Sequence, residues 1–393
     1  MALFFLAAAK LPTHPINVSK FLYSNLNRSA RRGLLPRHRP VPEQTPIIVQ
    51  LYFFFEFFAR YNIRLPSARQ FGPFPILGLW AVLLATFILF VQFSAHGYWT
   101  GGRSFAATLL AFSFLLAVML LFAARDFCDR VAAIAGPGAG WLLGVVIFFL
   151  FLIYALGTGT ASFARLGAAA AFVFLPLLLL STAQASAPGS WQDFATLAAI
   201  WVAVKFGPSH WLWPYPGVRL AYVFTIITAV NVAIAGFLLL RRAKGVGYSI
   251  GWGPSWTLLV LGPLIVFACI AIPLGLKLHF LVYAPHISEW KSFVPLSIAI
   301  LFFTAFPEEL LFRGLLQNFL SRATKSETVG WITASVLFGF SHITNMHFPN
   351  WRYVLLAFIA GLFYGWTWRK TGSIFASAIV HAFVDILWHF LFL

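Results

Sequence analysis

The stretch Ile298-Ala-Ile-Leu-Phe-Phe-Thr-Ala-Phe-Pro-Glu-Glu-Leu-Leu-Phe-Arg-Gly314 carries two adjacent carboxylates and an arginine through an otherwise apolar run. Ten of the 393 residues are Asp or Glu, and Glu308, Glu309 and Asp385 all fall in segments apolar enough to lie in lipid. An ionisable group at that depth is costly unless partnered, which makes it a functional candidate by default. On a helix, Glu309 and Arg313 are four residues apart and share a face, so they can pair. Glu308, turned about 100° away, is left for other work.

Working outward, 61% hydrophobic, 18% aromatic and 9% charged residues exclude an ordinary soluble domain, in which roughly a quarter of residues are charged. Runs long enough to cross the hydrocarbon core recur at 78–96, 105–124, 141–158, 165–183, 218–240, 255–280, 291–320, 331–348, 351–369 and 373–392, with a weaker one at 193–206. They predict an all-α polytopic membrane protein, a helical bundle of about 10–11 transmembrane helices. The alternating polarity of a membrane β-barrel is missing.

The net charge of +17 sits at segment ends and in a basic polar N-terminal tail, residues 1–45, where Lys10 follows the short apolar stretch instead of preceding it as in a secretory signal. That distribution is a topology signal and not a nucleic-acid footprint, so the expected partners are the lipid bilayer and a membrane-associated peptide, with no nucleic acid. Residues 47–58, rich in Phe and broken by Gln50 and Glu56, read as an interfacial helix. Counting the weak span places Arg125, Arg130, Arg241, Arg242, Lys244, Arg322, Lys325, Arg369 and Lys370 on one side and Arg103, Arg165, Lys291 and Arg352 on the other. The excess marks the cytosolic face, predicting a multi-pass protein of the cell membrane with its N-terminus in the cytosol. Lys205, inside the weak span, speaks against counting it. The glycine-rich stretch 243–254 divides an N-terminal membrane region of unassigned role, 46–250, from a C-terminal bundle, 251–393. Cys128 and Cys269, in separate apolar neighbourhoods, suggest neither a disulfide framework nor a thiolate metal site.

Chemistry concentrates in the C-terminal part. Glu308-Glu309-Leu-Leu-Phe-Arg313 is followed by Phe338-Gly-Phe-Ser-His342 and by His381-Ala-Phe-Val-Asp385, with His389 four residues further on. His381 and Asp385 share a helix face, so three successive apolar segments each bring polar groups to the interior. Hydrolysis needs an activated water, a group to take its proton and donors for the oxyanion, and this set can supply all three. Taken singly, Glu309 and Arg313 suit a structural ion pair, and His342 a packed, hydrogen-bonded histidine. Glu308 has no such bland explanation. His347 reads as a loop residue and His389 as a possible support for the His381 and Asp385 face, while Glu289, Asp126, Asp129 and Asp193 look like solvated segment ends and His96, His210, His279 and His286 look interfacial.

These motifs resemble the CPBP or Abi family of intramembrane CAAX prenyl endopeptidases and bacteriocin-processing enzymes, over about residues 290–390. The resemblance implies peptide-bond hydrolysis within the membrane. Glu308 and His342 would activate water, His381 and Asp385 would stabilise the oxyanion, Glu309 would belong to the catalytic set, and Arg313 and Phe338 would support it. Family members usually carry Asn where Asp385 stands; an ionised Asp accepts hydrogen bonds and gives none. Two imidazoles and one or two carboxylates, drawn from Glu308, His342, His381 and Asp385, also make a chemically sound zinc site with a vacant position for water. The soluble His-Glu-x-x-His pattern is not present, and the sequence leaves the metallo- and glutamate-type mechanisms both open. Two other classes compete: a transporter or proton-coupled carrier whose buried carboxylates relay charge, and a catalytically silent immunity or scaffold protein.

Overall fold

A computed structural model describes residues 69–94, 102–183, 186–286 and 291–392. The tail at 1–45, the aromatic segment at 47–58, His96 and Glu289 lie outside the described residues. In chain order the elements are β1 (Arg69–Gln70), α1 (Pro73–Ser94), α2 (Gly102–Leu121), α3 (Phe127–Gly157), α4 (Phe163–Ser181) and α5 (Trp191–Phe206). Next come α6 (Val218–Ala233, continued as a wider π-helix through Ile234–Leu240), β2 (Gly251–Trp252), α7 (Trp256–Lys277) and α8 (Phe293–Thr324). The chain closes with α9 (Glu327–Phe340), α10 (Trp351–Thr371) and α11 (Ile374–Leu391). The two strands form one short antiparallel pair, Arg69 opposite Trp252.

Each apolar run of the sequence thus forms a helix, including the weak one, which is α5. Among the described residues seven helices are long and apolar enough to cross a membrane: α2, α3, α4, α6, α7, α8 and α11. Their outer faces suit lipid. On α3, Leu142, Val145, Val146, Phe149, Ile153 and Leu156 are all exposed at helical spacing, an apolar stripe that water would not tolerate on a soluble monomer. The most buried of the seven is α6, wrapped by α2, α3, α4, α5 and α8. Asn231 within it is fully buried and donates to the Leu115 carbonyl at 2.9 Å.

The bonds between connecting segments imply that successive helices alternate in direction, with loops at two ends. At one end Arg322 donates to the Lys244 carbonyl (2.8 Å), Arg369 pairs with Glu327 (3.1 Å), and backbone bonds join Ile374 to Gly247 and Ile250 to Ala123. At the other, Arg103 reaches the Leu156 carbonyl, Arg165 that of Trp211, and Arg352 that of His279.

Two expectations are corrected. Asp193 is not a solvated segment end: it is fully buried, accepts from the Gly189 and Ser190 amides that precede α5, and pairs with Arg241 at 2.9 Å. The run at 331–348 is helical only to Phe340, because the Ser341 hydroxyl and His342 Nδ1 both donate back to the Phe338 carbonyl, at 2.7 and 2.8 Å, and the chain then turns.

Candidate active site

The helix that carries the carboxylates departs from α geometry on both sides of them. Pro307 supplies no amide hydrogen, and α8 is π-helical over Leu301–Ala305 and again over Leu310–Gln317, a widening often found at functional sites. Between these stretches lies the single α turn Phe306–Glu309.

Glu309 is completely buried. Its Oε1 accepts from Arg313 Nη1 at 2.8 Å and from His381 Nδ1 at 2.9 Å, and its Oε2 meets the Ser377 hydroxyl of α11. Arg313, also buried, reaches the Gly361 carbonyl of α10 and lies over the Phe338 ring, 4.3 Å from its centroid. The same ring meets His342 at 4.8 Å and His381 at 5.6 Å, both edge-on. Phe338 is therefore a hinge of packing on which the arginine and both histidines rest.

His381 is held from three directions. Nδ1 donates to Glu309, the ring stacks on Tyr364 with centroids 4.5 Å apart, and Nε2 faces Asp385 Oδ2 at 3.5 Å and Glu308 Oε2 at 3.9 Å. Donation through Nδ1 fixes the ring so that Nε2 is the working atom. The side chains of Glu308 and Asp385 are 26% and 28% exposed, in contrast to Glu309, so these two carboxylates can meet a ligand. In His342, Nδ1 is committed to the Phe338 carbonyl, which in the neutral ring leaves Nε2 as an acceptor.

Glu308, His342, His381 and Asp385 all line one cavity of about 540 Å³. Other parts of its wall come from α5 and α6, with Trp201, Lys205, Tyr222 and Ile226, from Leu311 and Phe312 of α8, and from Ser209, Asn345 and Tyr353. On the opposite side His342, His381 and Asp385 also border an apolar pocket of about 100 Å³ formed by Phe267, Leu356, Ala360 and Trp388 among others. Four of the expected site residues thus meet around one space. Glu309, Arg313 and Phe338 stand behind it and do not line the cavity. His347 and His389 are exposed, and neither lines either space.

Sequence reasoning missed Lys205, Tyr353 and Tyr364 as site residues. Lys205 was readable by the rule that singled out Glu308, an ionisable group in an apolar run.

As arranged, the donors do not form a zinc site. Among the described residues no three His, Cys, Asp or Glu side chains are disposed to hold a metal ion; the Nδ1 atoms of both histidines bond to protein acceptors, which leaves Nε2 as the remaining ring nitrogen of each.

Residues 290–387 match the family model described as type II CAAX prenyl endopeptidase Rce1-like, which supports assigning this part of the chain to the CAAX protease family. The match takes in Glu308, Glu309, Arg313, Phe338, His342, His381 and Asp385. Comparison with curated proteins and with solved structures gave no match.

Proposed function

We propose that the chain is an intramembrane endopeptidase that cleaves membrane-associated peptides, CAAX-type C-termini among the candidates, with a glutamate-activated water. The observation that carries this reading is the convergence of Glu308, His342, His381 and Asp385 on a single cavity inside a bundle of apolar helices. Glu308 takes the proton as the water oxygen bonds to the scissile carbonyl carbon, and His342 Nε2 holds the same water. Asp385 and His381 Nε2, 3.5 Å apart, share a proton, and whichever group holds it donates to the oxyanion. Collapse of the intermediate breaks the C–N bond, and the proton on Glu308 passes to the departing amine. Glu309 acts through His381 as a positioning residue, and the apolar pocket takes an apolar group beside the scissile bond. No step is routed through a metal.

The test is cleavage of membrane-tethered peptides by the purified chain, with and without a chelator. Hydrolysis that persists under chelation and disappears in Glu308→Gln and His342→Ala, both still binding peptide, supports the reading. Loss of hydrolysis on chelation, restored by zinc, overturns the metal-free mechanism. A chain that cleaves nothing but moves protons in response to membrane potential is a carrier instead.

A further inference from the structure

We infer that Lys205 is a specificity residue that receives a carboxylate of the peptide substrate at the cavity wall. The inference rests on the protease reading and adds what that site selects. Lys205 lies near the end of α5, in a part of the chain that the family match at 290–387 does not reach. It is the one Lys or Arg among the described residues lining the cavity, facing a space whose acidic members are Glu308 and Asp385.

The ammonium group donates to the Asn345 side-chain oxygen. Asn345 sits three residues beyond His342 in the turn that ends α9, so Lys205 is tied directly to the segment that carries a catalytic imidazole. An ammonium has three hydrogens, and Asn345 uses one of them. A lysine half-buried among apolar helices is costly to keep there without a task for its charge.

The two acidic side chains repel any anion that enters, so a peptide carboxylate is tolerated only next to a cation. Lys205 is the position that offers one. A carboxylate bound there anchors the peptide at the α5 side of the cavity and leaves the bonds upstream of it to lie across Glu308 and His342. The volume suits a short tail, being within the roughly 300–1,000 Å³ of sites for small ligands. Two sources carry this chemistry, the free C-terminus and an acidic side chain.

The experiment uses the full chain reconstituted in vesicles and three versions of one membrane-tethered peptide: free acid, C-terminal amide, and amide with glutamate as the last residue. The expected result is a kcat/KM for the free acid about tenfold above the amide, in keeping with one hydrogen bond to a charged group, expressed mainly in KM. That ratio falls to about one in Lys205→Met and returns in Lys205→Arg. Preference for the glutamate-ended amide alone identifies a side-chain carboxylate as the source. Equal kcat/KM values in the unsubstituted chain overturn the inference while leaving the protease reading intact, and so does a ratio that survives Lys205→Met. Failure to cleave any of the three removes both.

Discussion

A carboxylate with no exposed surface depends on every partner it has, and Glu309 has three: Arg313, His381 and Ser377. Removing the cation leaves a buried negative charge uncompensated, so Arg313→Met is expected to lose about 3–5 kcal/mol of stability, read as a lower thermal midpoint in detergent. Glu308→Gln sits at the cavity wall and replaces a group with no such obligation. It is expected to keep its thermal midpoint while hydrolysis falls by about 10²–10⁴, the usual worth of a proton-transfer group. The reverse pattern, a stable Arg313→Met beside an unfolding Glu308→Gln, would assign the two glutamates the wrong way round. The Glu309 and Arg313 pair was legible because i,i+4 spacing on one helix is local. Its links to Ser377 and His381 were not, since periodicity tells which face a residue occupies and not which helix that face meets. Asp193 was misread for the same reason, its partner Arg241 lying on another helix.

Helices of this bundle come close where side chains are small, as membrane helices do in the absence of a hydrophobic drive between them. Gly330 at the start of α9 is one such case: an added Cβ would meet Ser321 Oγ and stand 2.6 Å from Ser321 N and 2.8 Å from its Cα, on the end of α8. Backbone cannot swing aside as a flexible side chain does, so Gly330→Ala is expected to cost about 1–3 kcal/mol. Gly262 on α7 has nothing within 4 Å of such a Cβ, and Gly262→Ala should leave stability unchanged or slightly raised. Parallel melting curves of the two variants check this, and equal midpoints would mean that α8 and α9 do not approach as described. The helices themselves were legible from run length and hydropathy. The end of α9 was not, because Ile343, Met346 and Phe348 carry apolar character past Phe340, while the turn is made by Ser341 and His342 bonding back to Phe338.

On the scale of the molecule, Lys244, Arg322 and Arg369 take part in bonds between connecting segments at one end of the helices and Arg103, Arg165 and Arg352 at the other, and α5 is the element that makes the alternation close. The make-up of the cavity wall is a different matter. Its walls include Lys205 and Ser209, at and beyond the C-terminal end of α5, and Asn345, beyond α9. Sequence could not show this, since it depends on helices before residue 250 packing beside those after it to complete the site. The arrangement predicts that, with Cys128 and Cys269 replaced by serine, a membrane-impermeant thiol reagent labels Ser209→Cys from one side of sealed vesicles and Lys325→Cys from the other. A bound peptide should shield the cysteine at 209 and leave that at 325 reactive, because only the former borders the cavity. Labelling of both from one side would break the alternation at α5 and, with it, the placement of Lys205 across the cavity from Glu308 and Asp385.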